Sequence, residues 1–262
     1  MQHLKGKDRL IVALDVPSAT EAMALVDKLD HVSFFKVGWQ LFLTGVMKGD
    51  LRRLMDRLAQ KNVFVDLKIP GDIDNTVSAV VELCVDFKNV KFLTISESMP
   101  ARSIAAANAA RRARNSESPK FLTVPLLSSL DQSDLRSIAG DALTVEQYIV
   151  SRATAALKAG CDGVIASGQA IQLCRQNLPP DTIIVSPGIR TAGSATDDHK
   201  RHTTPTEAIR MGADYLVVGR PILKDGDPRQ AASCVMSEID AALDAHGASG
   251  QGPAKAQAST FA

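Results

Sequence analysis

Eight short apolar, β-branched runs recur along the chain, each followed by a longer stretch in which apolar residues return every three or four positions. The runs are RLIVALDV (9–16), SFFKVGW (33–39), NVFVDLKI (62–69), KFLTIS (91–96), KFLTVPLL (120–127), GVIASG (163–168), TIIVSPGI (182–189) and YLVVGRPI (215–222). The intervening periodicity, as in residues 19–29, 51–60 and 145–160, is that of amphipathic helices. Strands that are apolar at nearly every position are buried on both faces, the condition of a parallel sheet. Eight of them alternating with helices over about 250 residues predict an α/β fold, a single (β/α)8 TIM barrel. A doubly wound sheet would show Gly-x-Gly-x-x-Gly after the first strand, and no such motif stands there. One domain is expected over residues 1–246. Residues 247–262, GASGQGPAKAQASTFA, carry almost no large apolar side chain and are expected to form a disordered tail.

Charge and composition narrow the partners. Thirty basic residues against 29 acidic ones leave a net charge of +1, with no global field to recruit nucleic acid or a membrane. Aromatic residues at 4% argue further against a base-stacking surface. A small anionic metabolite needs only a local cationic pocket and stays open. Cys84, Cys161, Cys174 and Cys234 are scattered without zinc-ligand spacing or a disulfide pattern, so no metal is expected. The N-terminus, MQHLKGKDR, lacks the apolar segment of a signal peptide and leads straight into the first strand. No run reaches the length needed to cross a bilayer, and a cytoplasmic protein is expected.

In a (β/α)8 barrel, active sites form at the C-terminal ends of the strands, and the polar residues of this chain gather there. The stretch VFVDLKIPGDIDNTV (63–77) is the clearest case. Residues two apart on a strand point the same way, so Phe64, Asp66 and Lys68 share one face while Val63, Val65 and Leu67 share the other. Asp15 closes the first run, Lys36 lies in the second, and Ser128-Ser129 follow the fifth. Pro187-Gly188-Ile189-Arg190 end the seventh and Gly219-Arg220-Pro221 the eighth. Any one of these alone reads as a cap or a solvated loop residue. Six strand ends converging on one mouth make a candidate site.

Lysines and aspartates in one mouth can alternate in sign, each opposite pair at ~4 Å gaining roughly 4 kcal/mol at an effective dielectric near ~20, before desolvation. Such a network holds its lysines protonated and its carboxylates ionised. It suits proton donation to a carbanion or repulsion of a substrate carboxylate, and not Schiff-base chemistry, which needs a neutral amine. Gly219-Arg220 adds backbone N–H groups and a guanidinium fork, the pattern of a phosphate site after strands seven and eight. The residues alone point to a phosphorylated substrate with an acidic reacting group.

In order and spacing, the motifs resemble those of the orotidine 5′-phosphate decarboxylase family from about residue 9 to 235. They are Ala13-Leu14-Asp15, Phe35-Lys36-Val37-Gly38, Asp66-Leu67-Lys68 and Asp72-Ile73-x-Asn75-Thr76. Leu127-Ser128-Ser129-Leu130, Pro187-Gly188-Ile189-Arg190, Thr204-Pro205 and Val218-Gly219-Arg220-Pro221-Ile222 complete the set. The resemblance implies decarboxylation of orotidine 5′-phosphate to UMP in pyrimidine biosynthesis, with no cofactor, by a homodimer with shared active sites. It implies Lys68 as proton donor to C6 of the pyrimidine and Asp66 beside the departing carboxylate, with Lys36 and Asp72 completing the network. Asp15, Lys36, Asp72 and Thr76 would hold the ribose, the last two reaching in from the second subunit. Ser129 would meet the pyrimidine edge, and Arg220 with Gly219 the phosphate. Pro187 and Arg190 would join the substrate-binding set.

Three places depart from the family pattern. Pro70-Gly71 lengthens the spacing between Lys68 and Asp72 by one residue, while Ile73, Asn75 and Thr76 stay in step. The phosphate-loop glutamine is replaced by His199. The His-Ala-x-Gly-Gly expected after strand four reads Ser96-Glu97-Ser98-Met99-Pro100. Two alternatives remain at this point: a Mg2+-dependent sugar-phosphate decarboxylase or aldolase of the same superfamily, and a non-catalytic nucleotide-binding barrel. The first would want an acidic metal ligand after the first or second strand, where the second strand offers Lys36 instead; the non-catalytic barrel would have no use for Lys68 opposite Asp66.

Overall fold

The computed structural model describes residues 4–70, 74–96, 98–190 and 203–248, with backbone alone at 74–76 and 246–248. Its strands are β1 Leu10–Ala13, β2 Phe34–Gly38, β3 Asn62–Ile69, β4 Val90–Ser96, β5 Lys120–Val124, β6 Gly163–Ile165, β7 Ile183–Ser186 and β8 Tyr215–Val218. Each pairs in parallel with the next, and β8 returns to β1 to close the barrel. A helix follows every strand and carries the chain back to the opposite end, which is what makes all the strands parallel.

The apolar runs divide by parity, as alternate residues must. Val63, Val65, Leu67 and Ile69 point outward and are buried under the helices. Phe34, Phe64, Phe92, Leu122, Val185 and Val217 point inward and fill the barrel. The ring of Phe92 lies 5.3 Å from Phe34, 5.9 Å from Phe64 and 5.0 Å from Tyr215, the last two edge to face. Truncating a packed phenylalanine of this kind costs about 3–5 kcal/mol. Helix starts are set by the local sequence: Thr144 accepts from the backbone N–H of Gln147, and Thr204 from that of Glu207, in capping boxes.

The base of the barrel carries one device twice. Between β5 and β6, the N–H of Asp162 donates to the carbonyl of Phe121, and the N–H of Phe121 donates back to Oδ2 of Asp162. Arg111 binds the same carboxylate oxygen at 2.9 Å and the carbonyl of Pro119 at 3.0 Å. Between β7 and β8, Asp214 and Ile184 exchange the same two bonds. Arg175 binds Asp214 at 2.8 Å and donates to the carbonyls of Pro180, Thr182 and Gly212. Two residues before each aspartate stands a glycine, Gly160 at φ +109° and Gly212 at φ +100°. A Cβ at either would come within 2.7 Å of Asn108 Nδ2 or 2.9 Å of Arg175 Cγ.

Some local expectations change. The chain winds one helical turn, Gly6–Arg9, before β1 instead of entering the strand directly, held by Asp240, whose carboxylate accepts from the N–H of Gly6 at 2.7 Å. The run 215–222 is strand only to Val218, and Arg220–Leu223 is a helical turn in which Gly219 accepts from the N–H groups of Ile222 and Leu223. The final helix, Pro228–Ala248, continues into the segment expected as tail; residues 249–262 lie outside the described residues. All four cysteines are free, and burial pushes the thiols of Cys84, Cys161 and Cys174 up to about 12.

Candidate active site

The inner face of the barrel changes from aromatic to ionic within two residues. Phe34, Phe64 and Phe92 lie in the interior layer, and the next inward positions on the same strands are Lys36, Asp66 and Thr94. Lys36 Nζ lies 2.9 Å from Asp15 Oδ1 and 3.5 Å from Asp66 Oδ2. Lys68 Nζ donates to Asp66 Oδ1 at 2.9 Å. The four charges therefore alternate in the order Asp15, Lys36, Asp66, Lys68. β1 ends at Ala13, so Asp15 comes from the loop beyond the strand.

Burial alone would push the Lys36 ammonium down; the Asp66 and Asp15 carboxylates outweigh it and hold the group above the ordinary lysine value. Burial alone would likewise push Asp66 up, but Lys36, Lys68 and the Thr94 hydroxyl hold it below the ordinary aspartate value. The signs fix where the pair supports the fold. The Lys36 contribution is present below about pH 10.4 and fades as pH rises through its raised folded value. The Asp66 contribution is present above about pH 3.9 and fades as pH falls through its lowered folded value. Both ions are thus held charged across the neutral range.

β3 departs from regular pairing where these groups sit. Val65 pairs with Leu93 and Ile69 with Ile95, so the stretch from 65 to 69 faces only 93 to 95 on β4. Lys68 takes φ +46° there, a left-handed conformation that costs a non-glycine residue about 1–2 kcal/mol. Departures of this kind, held in place by their surroundings, cluster at functional sites. Gly38 leaves room beside the network: a Cβ there would stand 3.0 Å from Lys36 Nζ and 3.3 Å from Asp15 Oδ1.

These groups line a cavity of about 380 Å³, within the range of small-molecule sites. Asp15, Lys36, Asp66 and Lys68 form part of its wall, and Ser129 enters from the loop after β5. Pro187 and Arg190 come from beyond β7, Gly219 and Arg220 from beyond β8. Arg190 is held where Ile189 bridges Thr203, its own N–H donating to the Thr203 carbonyl at 3.0 Å. Nine of the expected site residues thus share one cavity. Asp72 and His199 lie outside the described residues, as does the side chain of Thr76.

Two residues were not singled out from the sequence. Thr94 is fully buried and hydrogen-bonds Asp66. Ser167, also buried, lines the cavity two residues past Ile165 on the inward register of β6. The available signal was parity: each is a hydroxyl on the inward phase of an apolar run. Among the described residues no group of three or more His, Cys, Asp or Glu side chains comes together, and no helix is long and apolar enough to cross a membrane. Between the Asp15 and Asp66 carboxylates, where a cation would sit, stands the Lys36 ammonium.

A model of the orotidine 5′-phosphate decarboxylase / HUMPS family matches residues 8–235. The orotidine 5′-phosphate decarboxylase of Rhodopseudomonas palustris strain HaA2 is 44% identical over 234 residues, covering 89% of this chain and 95% of its own length. That of Methylococcus capsulatus is 43% identical over 236 residues, covering 88% and 92%. The crystal structure of orotidine 5′-phosphate decarboxylase from Lactobacillus acidophilus superposes with a TM-score of 0.75 at 30% identity, over 89% of this chain and 100% of that one.

Proposed function

Because the chain belongs to the orotidine 5′-phosphate decarboxylase / HUMPS family, we propose that its barrel mouth converts orotidine 5′-phosphate to UMP without metal or organic cofactor. Lys68 returns the proton to C6 of the pyrimidine. The observation that carries this reading is the alternating set Asp15, Lys36, Asp66, Lys68 on one cavity wall, with each neighbouring pair within 3.5 Å. Carbon dioxide leaves when the C6–carboxylate bond breaks and its electron pair stays on C6. A lysine ammonium beside that carbon stabilises the developing negative charge and then gives it a proton, forming the C6–H bond of UMP. The neutral amine regains its proton from water. Asp66 holds Lys68 in place and stands beside the substrate carboxylate, where its charge favours the departure of a neutral molecule.

The remaining groups divide by chemistry. Asp15 and Lys36 hold the ribose, and Ser129 meets the pyrimidine edge. Arg220, the Gly219 backbone, Arg190, Pro187 and His199 form the phosphate side, where a guanidinium provides charge-assisted, bidentate contacts. Asp72 and Thr76 reach in from the second subunit of a homodimer working in the cytoplasm. Against a Mg2+-dependent sugar-phosphate enzyme stands the position of Lys36, whose ammonium takes the place of a divalent ion between two carboxylates.

The test is to follow the near-ultraviolet absorbance of orotidine 5′-phosphate in excess EDTA. Steady loss of the absorbance is expected. Turnover that stops and returns with Mg2+ would overturn the metal-free reading, and no turnover under either condition would favour a barrel that binds nucleotides without catalysis.

A further inference from the structure

We infer that Thr94, a residue on β4 with no charge to draw attention to it, is the positioning residue that sets the Asp66–Lys68 pair; the inference rests on the proposed role of that pair. The Lys68 backbone N–H donates to Thr94 Oγ1 at 2.8 Å. Thr94 Oγ1 in turn donates to Asp66 Oδ1 at 2.9 Å, and the same carboxylate oxygen accepts from Lys68 Nζ at 2.9 Å. The three contacts close a ring that grips Lys68 at both its backbone and its ammonium.

The direction of the hydroxyl is dictated by its neighbours. A backbone N–H only donates, so Thr94 receives that bond on a lone pair. Its single proton then has Asp66 Oδ1 as acceptor, on a carboxylate that Lys36 and Lys68 hold ionised. Thr94 is 0% exposed, so water does not compete for the hydroxyl. The ring also replaces what the irregular pairing removes. Between the Val65–Leu93 and Ile69–Ile95 pairs the regular register of β3 with β4 is lost, and Lys68 lies at φ +46°. The threonine hydroxyl takes the N–H of Lys68 at that point and stabilises the turn that aims its side chain back at Asp66. At metal sites, partners one step removed from the reacting atoms typically change activity by about 10- to 100-fold when lost, and an effect of that order is expected here.

The experiment compares Thr94→Val, which keeps the shape and loses the hydroxyl, with Thr94→Ser, which keeps the hydroxyl. Thr94→Val should lower kcat roughly 10- to 100-fold with KM changed little, and Thr94→Ser should recover most of the loss. The hydroxyl helps hold Asp66 below its ordinary value, so its removal raises that value and should move the acid limb of the kcat profile toward neutral pH. A packing role alone would not shift that limb. Amide hydrogen exchange at Lys68 gives a readout independent of substrate, with faster exchange expected in Thr94→Val. Should the valine chain fail to fold, Thr94→Ala carries the same measurements. Equal activity of the valine and serine variants, or an unmoved acid limb, would overturn the assignment. If exchange at Lys68 accelerates while wild type shows no turnover, the proposed reaction fails and the structural ring stands.

Discussion

Cation–carboxylate pairs stand at both ends of this barrel, and they differ in what else each cation touches. At the base, Arg111 and Arg175 donate to backbone carbonyls as well as to Asp162 and Asp214. Those carboxylates also accept the N–H groups of Phe121 and Ile184. At the mouth, the ammonium groups of Lys36 and Lys68 meet only carboxylates among the described residues, and both line the cavity. A guanidinium presents five donors in a rigid fork suited to tying main chain together, whereas an ammonium is a compact, movable charge. Where the donors are consumed by backbone, the pair serves the fold. Where they remain turned toward a cavity, they are available to a ligand.

Substitutions at the two ends should therefore separate activity from stability. The largest effect belongs to the mouth: Lys68→Ala should lower kcat by about 10²- to 10⁴-fold, the usual loss for a general acid. Thermal melting should stay within about 2 °C of wild type, because Lys68 is part-exposed and Asp66 keeps Lys36 and Thr94 as partners when it is lost. A large fall in melting temperature would erase the contrast. The base should respond in the opposite way. Arg175→Met strands several carbonyls and a carboxylate that is only 26% exposed, which should cost about 3 kcal/mol, or about 6–12 °C in melting temperature. Turnover per folded molecule should remain within about three-fold; a larger loss would mean that the base reaches the site.

The smallest expected effect sharpens the geometry of the mouth. Gly38 lies at φ −97°, a conformation open to alanine, so Gly38→Ala acts mainly through its added methyl group. That methyl would stand 3.0 Å from Lys36 Nζ and displace the ammonium by a few tenths of an ångström. A rise in KM of roughly five-fold is expected, equivalent to about 1 kcal/mol. Unchanged kinetics would show that the lysine has room to spare.

Much of this architecture was legible in the sequence, for reasons that also explain the gaps. The barrel followed from apolar runs such as NVFVDLKI, and parity alone placed Phe64, Asp66 and Lys68 on one face. Charges at strand ends are conspicuous against an apolar background, and six of them, Asp15, Lys36, Asp66, Lys68, Arg190 and Arg220, meet at one cavity. Single hydroxyls are not conspicuous. Thr94 and Ser167 sit in runs where threonine and serine are ordinary, and their importance depends on register across neighbouring strands. The conformation of Lys68 was hidden as well, since a left-handed residue is usually announced by glycine. The helical turn at Arg220 was masked by the apolar residues around Pro221, which prolong the strand pattern past Val218. Asp72, Thr76 and His199 stay where the resemblance put them, as parts of the proposed function.

The doubled lock at the base bears on how such a barrel can be recombined with its relatives. Each lock is confined to one pair of neighbouring strands and the helix preceding that pair: Arg111 through Asp162 for β5 and β6, Arg175 through Asp214 for β7 and β8. A crossover placed between Ile165 and Ala170 would pass each lock intact to the hybrid, along with the glycine that seats it. A crossover between Arg111 and Asp162, or between Arg175 and Asp214, would join an arginine from one parent to an aspartate from the other. Exchange between barrels of this type is therefore best tolerated in blocks of two strands.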